Sequence, residues 1–337
     1  MQKAHNLALF VLLVSAFVVL TSTVIAQEIA NEKQSPKTKT DIDILQTYKE
    51  ISALPMNANM PERRALFLKL PSVEKSEIFK LHLAMQLVKR PNLNQEQKDV
   101  ILEAISMITP ESYADNIEKR SIAQQKTTSL QQTSSLVFSK KEVFEIFASL
   151  GGDNTDIQLL EKYQQITAPI YQNERRGEFS KASAQEKSNI VRLHFASQIA
   201  KRFLNREQLN FISEAISIVS PEFYSAVKGT PEWAKNKVIQ ESAKERTLNF
   251  FSKEDAFNIF ASLGGKSCAE RKNTKSNTSN SEDPIEESKE NCGCHYADDW
   301  CGTWSGGTKR CHIGGCETTL FGCGYGMWNE CDGLCKP

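Results

Sequence analysis

Residues 74–113 read EKSEIFKLHLAMQLVKRPNLNQEQKDVILEAISMITPESY, and residues 186–224 read EKSNIVRLHFASQIAKRFLNREQLNFISEAISIVSPEFY. The two passages agree at more than half of their positions, with one residue dropped after Arg202. The duplication therefore marks which features the fold reuses. Its period is far longer than the roughly 20–50 residues of solenoid modules, so each copy is read as a domain and not as one turn of an array. Upstream of both passages, Glu62-Arg63-Arg64 recurs as Glu174-Arg175-Arg176.

Within each copy the helix starts and stops are explicit. Ser183-x-x-Glu186 has the form of a capping box, in which the hydroxyl takes an orphan amide and the carboxylate returns to the cap's own N–H. Ile78, Leu81, Met85 and Val88 then fall at helical spacing, as do Ile190, Leu193 and Ala200 with Ser197 interrupting, which predicts one buried face. Asn94-x-x-Gln97 and Asn205-x-x-Gln208 open the next helix in the same way. Its apolar positions are Ile101, Ala104, Ile105 and Ile108, or Ile212, Ala215, Ile216 and Val219. Thr109-Pro110-Glu111 and Ser220-Pro221-Glu222 stop that helix and cap another.

A third shared passage closes each copy, from Phe138 to Gly152 and from Phe251 to Gly265. It predicts a short helix with Ser139 and Glu142 as a capping box, Phe138 stapling onto Val143, a buried stripe of Phe144, Phe147 and Leu150, and a stop at Gly151. The paired glycines also match a leader-cleavage site, but a helix terminus explains both copies with one cause. Ser121 to Ser135 reads as a loose connection in the first copy, where the second has the helix start Thr230-Pro231-Glu232-Trp233.

The last 47 residues, Asn291 to Pro337, are written in another style. They hold eight of the nine cysteines and three of the four tryptophans. Such a segment is too short to hold itself with a core alone, so it needs covalent staples or metal. The other end of the chain bears on which. Lys3, the apolar run Leu7 to Leu20 and Val24-Ile25-Ala26 read as an export signal cleaved after Ala26. An uncleaved anchor is the alternative, but the run falls short of the roughly 20 residues a spanning helix needs. Export to a secreted or periplasmic location favours disulfides among Cys292, Cys294, Cys301, Cys311, Cys316, Cys323, Cys331 and Cys335. Zinc held by Cys311, His312, Cys316, Cys331 and Cys335 is the competing reading, and the long gaps fit its paired-cysteine spacing poorly.

The expected fold class is mainly α, with two duplicated helical-bundle units followed by a small disulfide-rich C-terminal module. The boundaries are 1–26 for the signal peptide, 40–152 and 153–265 for the helical units, 266–290 for a linker and 291–337 for the module. Residues 266–290 are polar, without an aromatic residue, and predict disorder. Cys268 at the linker's start is either a free thiol or an intermolecular bridge. Lys plus Arg and Asp plus Glu both number 41, so nothing directs the chain to nucleic acid. In the tail, Asp298, Asp299, Glu317, Glu330 and Asp332 outnumber Lys309, Arg310 and Lys336, which is not the charge of a membrane-lytic peptide.

Candidate sites are few. No Gly-x-Ser-x-Gly, His-Glu-x-x-His or phosphate loop occurs, and no cofactor or catalytic set is expected. His82 and His194 hold equivalent helix positions and are expected as polar tips at the core edge. Lys89-Arg90 and Lys201-Arg202 sit where positive charge favours a helix C-terminus. Trp300, Trp304, Tyr325 and Trp328 cannot all be buried in so small a module, which predicts an exposed aromatic binding patch.

Asn291-Cys292-Gly293-Cys294 with Asp299 and Cys301, then Gly322-Cys323-Gly324-x-Gly326, Trp328, Cys331, Gly333 and Cys335, resemble the fulvocin C-related bacteriocin family. The Pro-Glu-Arg-Arg opening, the Asn-x-Glu-Gln helix and the Phe-Ser-Lys to Leu-Gly-Gly end are similar to the precursor region of such proteins. Here the helical unit is duplicated, and Met327 stands between Gly326 and Trp328. The resemblance implies an exported precursor whose tail kills related bacteria. The tail's net negative charge argues against lysis of anionic membranes, so a specific surface target is expected, contacted through Trp300, Trp304 and Trp328. The other reading of the same residues is an extracellular helical scaffold with a stapled adhesive or inhibitor-like tail.

Overall fold

The computed structural model describes residues 41–54, 60–113, 130, 132–148, 154–168, 172–263, 310–313, 319–323, 329–331 and 333–336. The architecture is mainly α-helical. The export signal and the 266–290 linker lie outside the described residues. Among the described residues, those up to Gln158 together with Ile199–Asn210 form one compact unit. Leu159–Gln198 with those from Phe211 onward form the second.

The first unit contains α1 (Asp41–Ala53), α2 (Met60–Lys69), α3 (Ser72–Lys89) and α4 (Gln95–Met107). A 3-10 turn at Pro110–Tyr113 follows. Residues 130 and 132–137 are helical, with the Ser134 hydroxyl donating to the Leu130 carbonyl at 2.7 Å, which corrects the C-terminal part of the loose connection expected from Ser121 to Ser135. Then comes α5 (Lys140–Val143), which runs into a π-helical turn at Phe144–Ala148. α1, α4, the 3-10 turn and the π turn all pack against α3. That helix is the hub, and the expectation of one buried face is corrected: every residue from Lys80 to Val88 is buried. A helix enclosed on all sides needs apolar or fully partnered side chains all round, and α3 meets this with Leu81, Leu83, Ala84, Met85, Leu87 and Val88 beside a partnered His82.

The second unit repeats the plan. It takes in α6 (Asn154–Thr167) from Leu159 on, α7 (Gln172–Lys181), and most of α8 (Ala184–Lys201) and α9 (Arg206–Ile218). α10 (Pro221–Ser225), α11 (Pro231–Phe250) and α12 (Lys253–Ala256) follow, and α12 continues into a π turn at Phe257–Ala261. Ile190 to Ala200 of α8 are buried without interruption, so the single-face expectation fails here for the same reason. The tip joining α8 to α9 belongs to the first unit, where Arg206 Nη2 donates to Asp99 Oδ1 (2.9 Å) and Nη1 donates to the Asp99 carbonyl (3.1 Å).

Local grammar matches the expectation closely. The Asn94 side chain accepts from the Gln97 amide (2.9 Å) while the Asn94 amide donates to Gln97 Oε1 (3.2 Å). Asn205 and Gln208 form the same reciprocal pair (2.9 and 3.0 Å), as do Ser183 and Glu186 (3.2 and 2.8 Å). Ser139 and Glu142 do so at 3.3 and 2.9 Å. Ser220 and Thr230 cap the amides of Phe223 and Trp233. Phe144 and Phe147, expected in a buried stripe, are only half-buried, and Leu150 and Gly151 lie outside the described residues.

In the tail, β1 (Arg310–Ile313) pairs antiparallel with β4 (Gly333–Lys336), and β2 (Thr319–Cys323) with β3 (Asn329–Cys331). Each is a ladder of two short strands. No helix among the described residues is long and apolar enough to cross a membrane.

Candidate functional site

The same buried polar arrangement occurs once in each copy. In the first, the Tyr48 hydroxyl of α1 lies 3.2 Å from His82 Nδ1 of α3, and His82 Nε2 lies 3.0 Å from the Ile146 carbonyl in the π turn. A carbonyl can only accept, so Nε2 carries the proton and Nδ1 accepts from the tyrosine hydroxyl. In the second, the Tyr163 hydroxyl lies 3.0 Å from His194 Nδ1, and His194 Nε2 lies 3.1 Å from the Asn258 carbonyl. The same tautomer follows.

Each imidazole therefore ties the first helix of its copy to the hub helix and to the closing π turn. His82 is 0% and His194 1% exposed, which corrects the expectation of polar tips at the core edge. Burial of a polar ring is tolerated because both of its nitrogens are partnered. Burial is the largest influence on His82 and lowers its pKa to about 4; the bond to the Ile146 carbonyl pulls the other way. At neutral pH the ring is uncharged and already engaged at both nitrogens. That is the chemistry of a structural clasp, since a general base needs a free lone pair within reach of a substrate proton.

Other paired charges are also structural. Arg63 of the recurring Glu-Arg-Arg string donates through Nε to the Leu54 carbonyl (2.6 Å) and through Nη2 to the Ser52 carbonyl (3.0 Å), closing the C-terminus of α1. Lys89 reaches Asp156 at 3.0 Å and Arg90 reaches Glu145 at 2.8 Å. These pairs add to the helix-end role expected of both cations. A cavity of ≈ 210 Å³ in the first unit is lined by Lys80, Ile105, Ile108, Phe203 and Leu209. It falls below the roughly 300–1,000 Å³ of small-molecule sites.

Of the tail residues, Cys311 lies on β1, Cys323 on β2, Cys331 on β3 and Cys335 on β4. His312 follows Cys311 on β1. Cys268, Cys292, Cys294, Cys301, Cys316, Trp300, Trp304, Tyr325 and Trp328 lie outside the described residues. Among the described residues no group of three or more His, Cys, Asp or Glu is gathered as a metal site would be.

Sequence reading missed the two tyrosines. Their signal is a repeat of its own, Asp41-Ile42-x-x-Leu45-x-x-Tyr48-x-x-Ile51 against Asp156-Ile157-x-x-Leu160-x-x-Tyr163-x-x-Ile166. The link from this helix to Glu-Arg-Arg is longer in the first copy, so an alignment anchored on those residues slides past it. Comparisons with known protein families, with curated proteins and with solved structures give no match for this chain.

Proposed function

We propose that the chain is the exported precursor of a cysteine-rich antibacterial peptide, with the two helical units as its pro-region. The observation that carries this reading is a division of labour along the chain. The described helical body contains no cysteine and answers its buried histidines and helix ends from within. The tail concentrates eight cysteines in a segment whose described elements are short strand pairs. A two-stranded ladder is marginal in water without further support; β2 has α7 packed against it, and in this reading cross-links hold the rest of the tail where the body relies on burial. In this reading the chain is not an enzyme, and its partner is a bacterial surface component met by Trp300, Trp304 and Trp328.

The test follows the exported protein. Intact-mass and N-terminal analysis of culture medium should find a fragment beginning between residues 266 and 291, because exposed polar chain is cut in preference to folded helices. That fragment, oxidised, should inhibit growth of close relatives of the producer, and Trp328→Ala should weaken the inhibition while leaving the disulfides in place. A full-length form that persists outside the cell, together with an inert 291–337 peptide, would replace the precursor reading with an extracellular scaffold.

A further inference from the structure

We propose that Cys311 and Cys335 are bonded to each other, closing β1 onto β4. The pairing rests on the reading of the tail as oxidised, and adds to it a specific connectivity. In the β1–β4 ladder Arg310 is opposite Lys336, Cys311 opposite Cys335, His312 opposite Leu334 and Ile313 opposite Gly333. Directly opposed residues in an antiparallel ladder have Cα atoms roughly 4.5 or 5.5 Å apart, according to whether they exchange hydrogen bonds. A disulfide takes a Cα separation of about 4.4–6.8 Å. Either kind of opposed pair fits.

The other ladder offers no such match. There Cys331 is opposite Thr319 and Cys323 opposite Asn329, so neither cysteine of that ladder faces the other. Of the four cysteines on described strands, only Cys311 and Cys335 are register partners.

The ladder would also gain from the bond. Among the described strands β1 and β4 pair with each other alone, and both β2 and β3 intervene in sequence, so no tight turn brings them together. Closing so long a loop costs chain entropy, which a cross-link removes from the unfolded state. Arg310 opposite Lys336 sets two cationic residues across the ladder's end, a placement that weakens strand pairing.

Formation is a two-electron oxidation. The two thiols lose two protons and two electrons as the S–S bond forms, and the disulfide of an oxidising thiol oxidoreductase takes them up to become a dithiol. With this bridge set, the other six tail cysteines have 15 pairings left of the 105 open to eight.

The experiment is disulfide mapping of the exported protein, whole or cut ahead of the tail, alkylated at acidic pH and digested without reduction. A cross-linked pair of peptides carrying Cys311 and Cys335 is the expected result. Cys311 or Cys335 bridged to any other cysteine overturns the pairing and leaves the oxidised tail standing. Alkylation of all tail cysteines without prior reduction overturns both. In Cys311→Ser, maleimide should label Cys335 as the one additional thiol in the tail; a new thiol at any other tail position overturns the pairing as well.

Discussion

The two helical copies hold their buried histidines in the same way and fill the space around them differently. Tyr48, His82 and the Ile146 carbonyl match Tyr163, His194 and the Asn258 carbonyl to within 0.2 Å in each bond. Around that clasp, Leu83 and Val100 of the first copy become Phe195 and Phe211 in the second. Phe195, Phe211 and Phe251 each approach Phe260, with ring centroids at 5.5, 5.6 and 5.6 Å. In the first copy the equivalent ring, Phe147, meets Phe138 at 6.2 Å and is only half-buried, whereas Phe260 is 1% exposed. Hydrogen bonds fix positions by direction and tolerate little drift. Apolar packing needs volume and shape, and two sets of residues can meet the same need.

The largest effect that would break this comparison is the loss of the second copy's central ring. Phe260→Ala should lower the stability of its unit by about 3–5 kcal/mol, the usual range for a fully buried phenylalanine. Phe147→Ala should cost less than half as much, because the ring it removes is partly in solvent already. Urea midpoints of the two variants in the full chain measure this, and equal losses would show that the aromatic cluster adds nothing to the second unit.

Acid should act on the clasp next. His82 is held to about 4 in the folded state, well below its ordinary 6.5, so the unfolded chain takes up the proton first as pH falls. The resulting stability is complete above pH 6.5 and is lost as pH falls toward 4, by roughly 3 kcal/mol in all. Urea unfolding at pH 7 and pH 4 measures the loss, and His82→Gln should flatten the His82 part of that dependence. A smaller effect isolates one bond. Tyr48→Phe and Tyr163→Phe each leave an imidazole nitrogen buried without its donor, and each should cost about 1–3 kcal/mol. Unequal losses in the two copies would separate the clasps that the geometry makes alike.

Much of this fold was legible because caps and stripes are local. Asn94, Ser139, Ser183 and Asn205 announce helix starts within three residues of themselves, and the structure places a helix at each. What lay hidden depends on residues far apart. Lys80, His82 and Gln86 look like the polar face of α3, and only the packing of four other elements around that helix shows them to be enclosed. The tyrosine partners lie 34 and 31 positions from their histidines, across links of unequal length. The π turns carry the shared string Phe-x-Ile-Phe-Ala, which helical periodicity does not distinguish from an ordinary α-turn. In the tail, spacing alone leaves every cysteine pairing open, while strand register brings one pair opposite.

The smallest predicted effect concerns the last helix of each copy, where one methylene separates two ways of capping. In the first copy, Glu142 is long enough to return to the Ser139 amide at 2.9 Å while the Ser139 hydroxyl accepts from the Glu142 amide. In the second, Asp255 stands in the same place. Its amide donates to the Ser252 hydroxyl at 3.1 Å, and its shorter carboxylate accepts from that hydroxyl at 2.7 Å. In both copies the carboxylate interacts with the cap's hydroxyl, and only Glu142 also reaches the cap's backbone amide. Ser139→Ala and Ser252→Ala should each cost about 1 kcal/mol, the common value for a lost cap. Asp255→Glu should instead give the second copy the first copy's reach, let the carboxylate take the Ser252 amide, and raise the urea midpoint by the equivalent of a few tenths of a kcal/mol. A fall in the midpoint would mean that the hydroxyl-to-carboxylate bond is the better cap there, and that the two copies have each settled on a different solution for the same helix start.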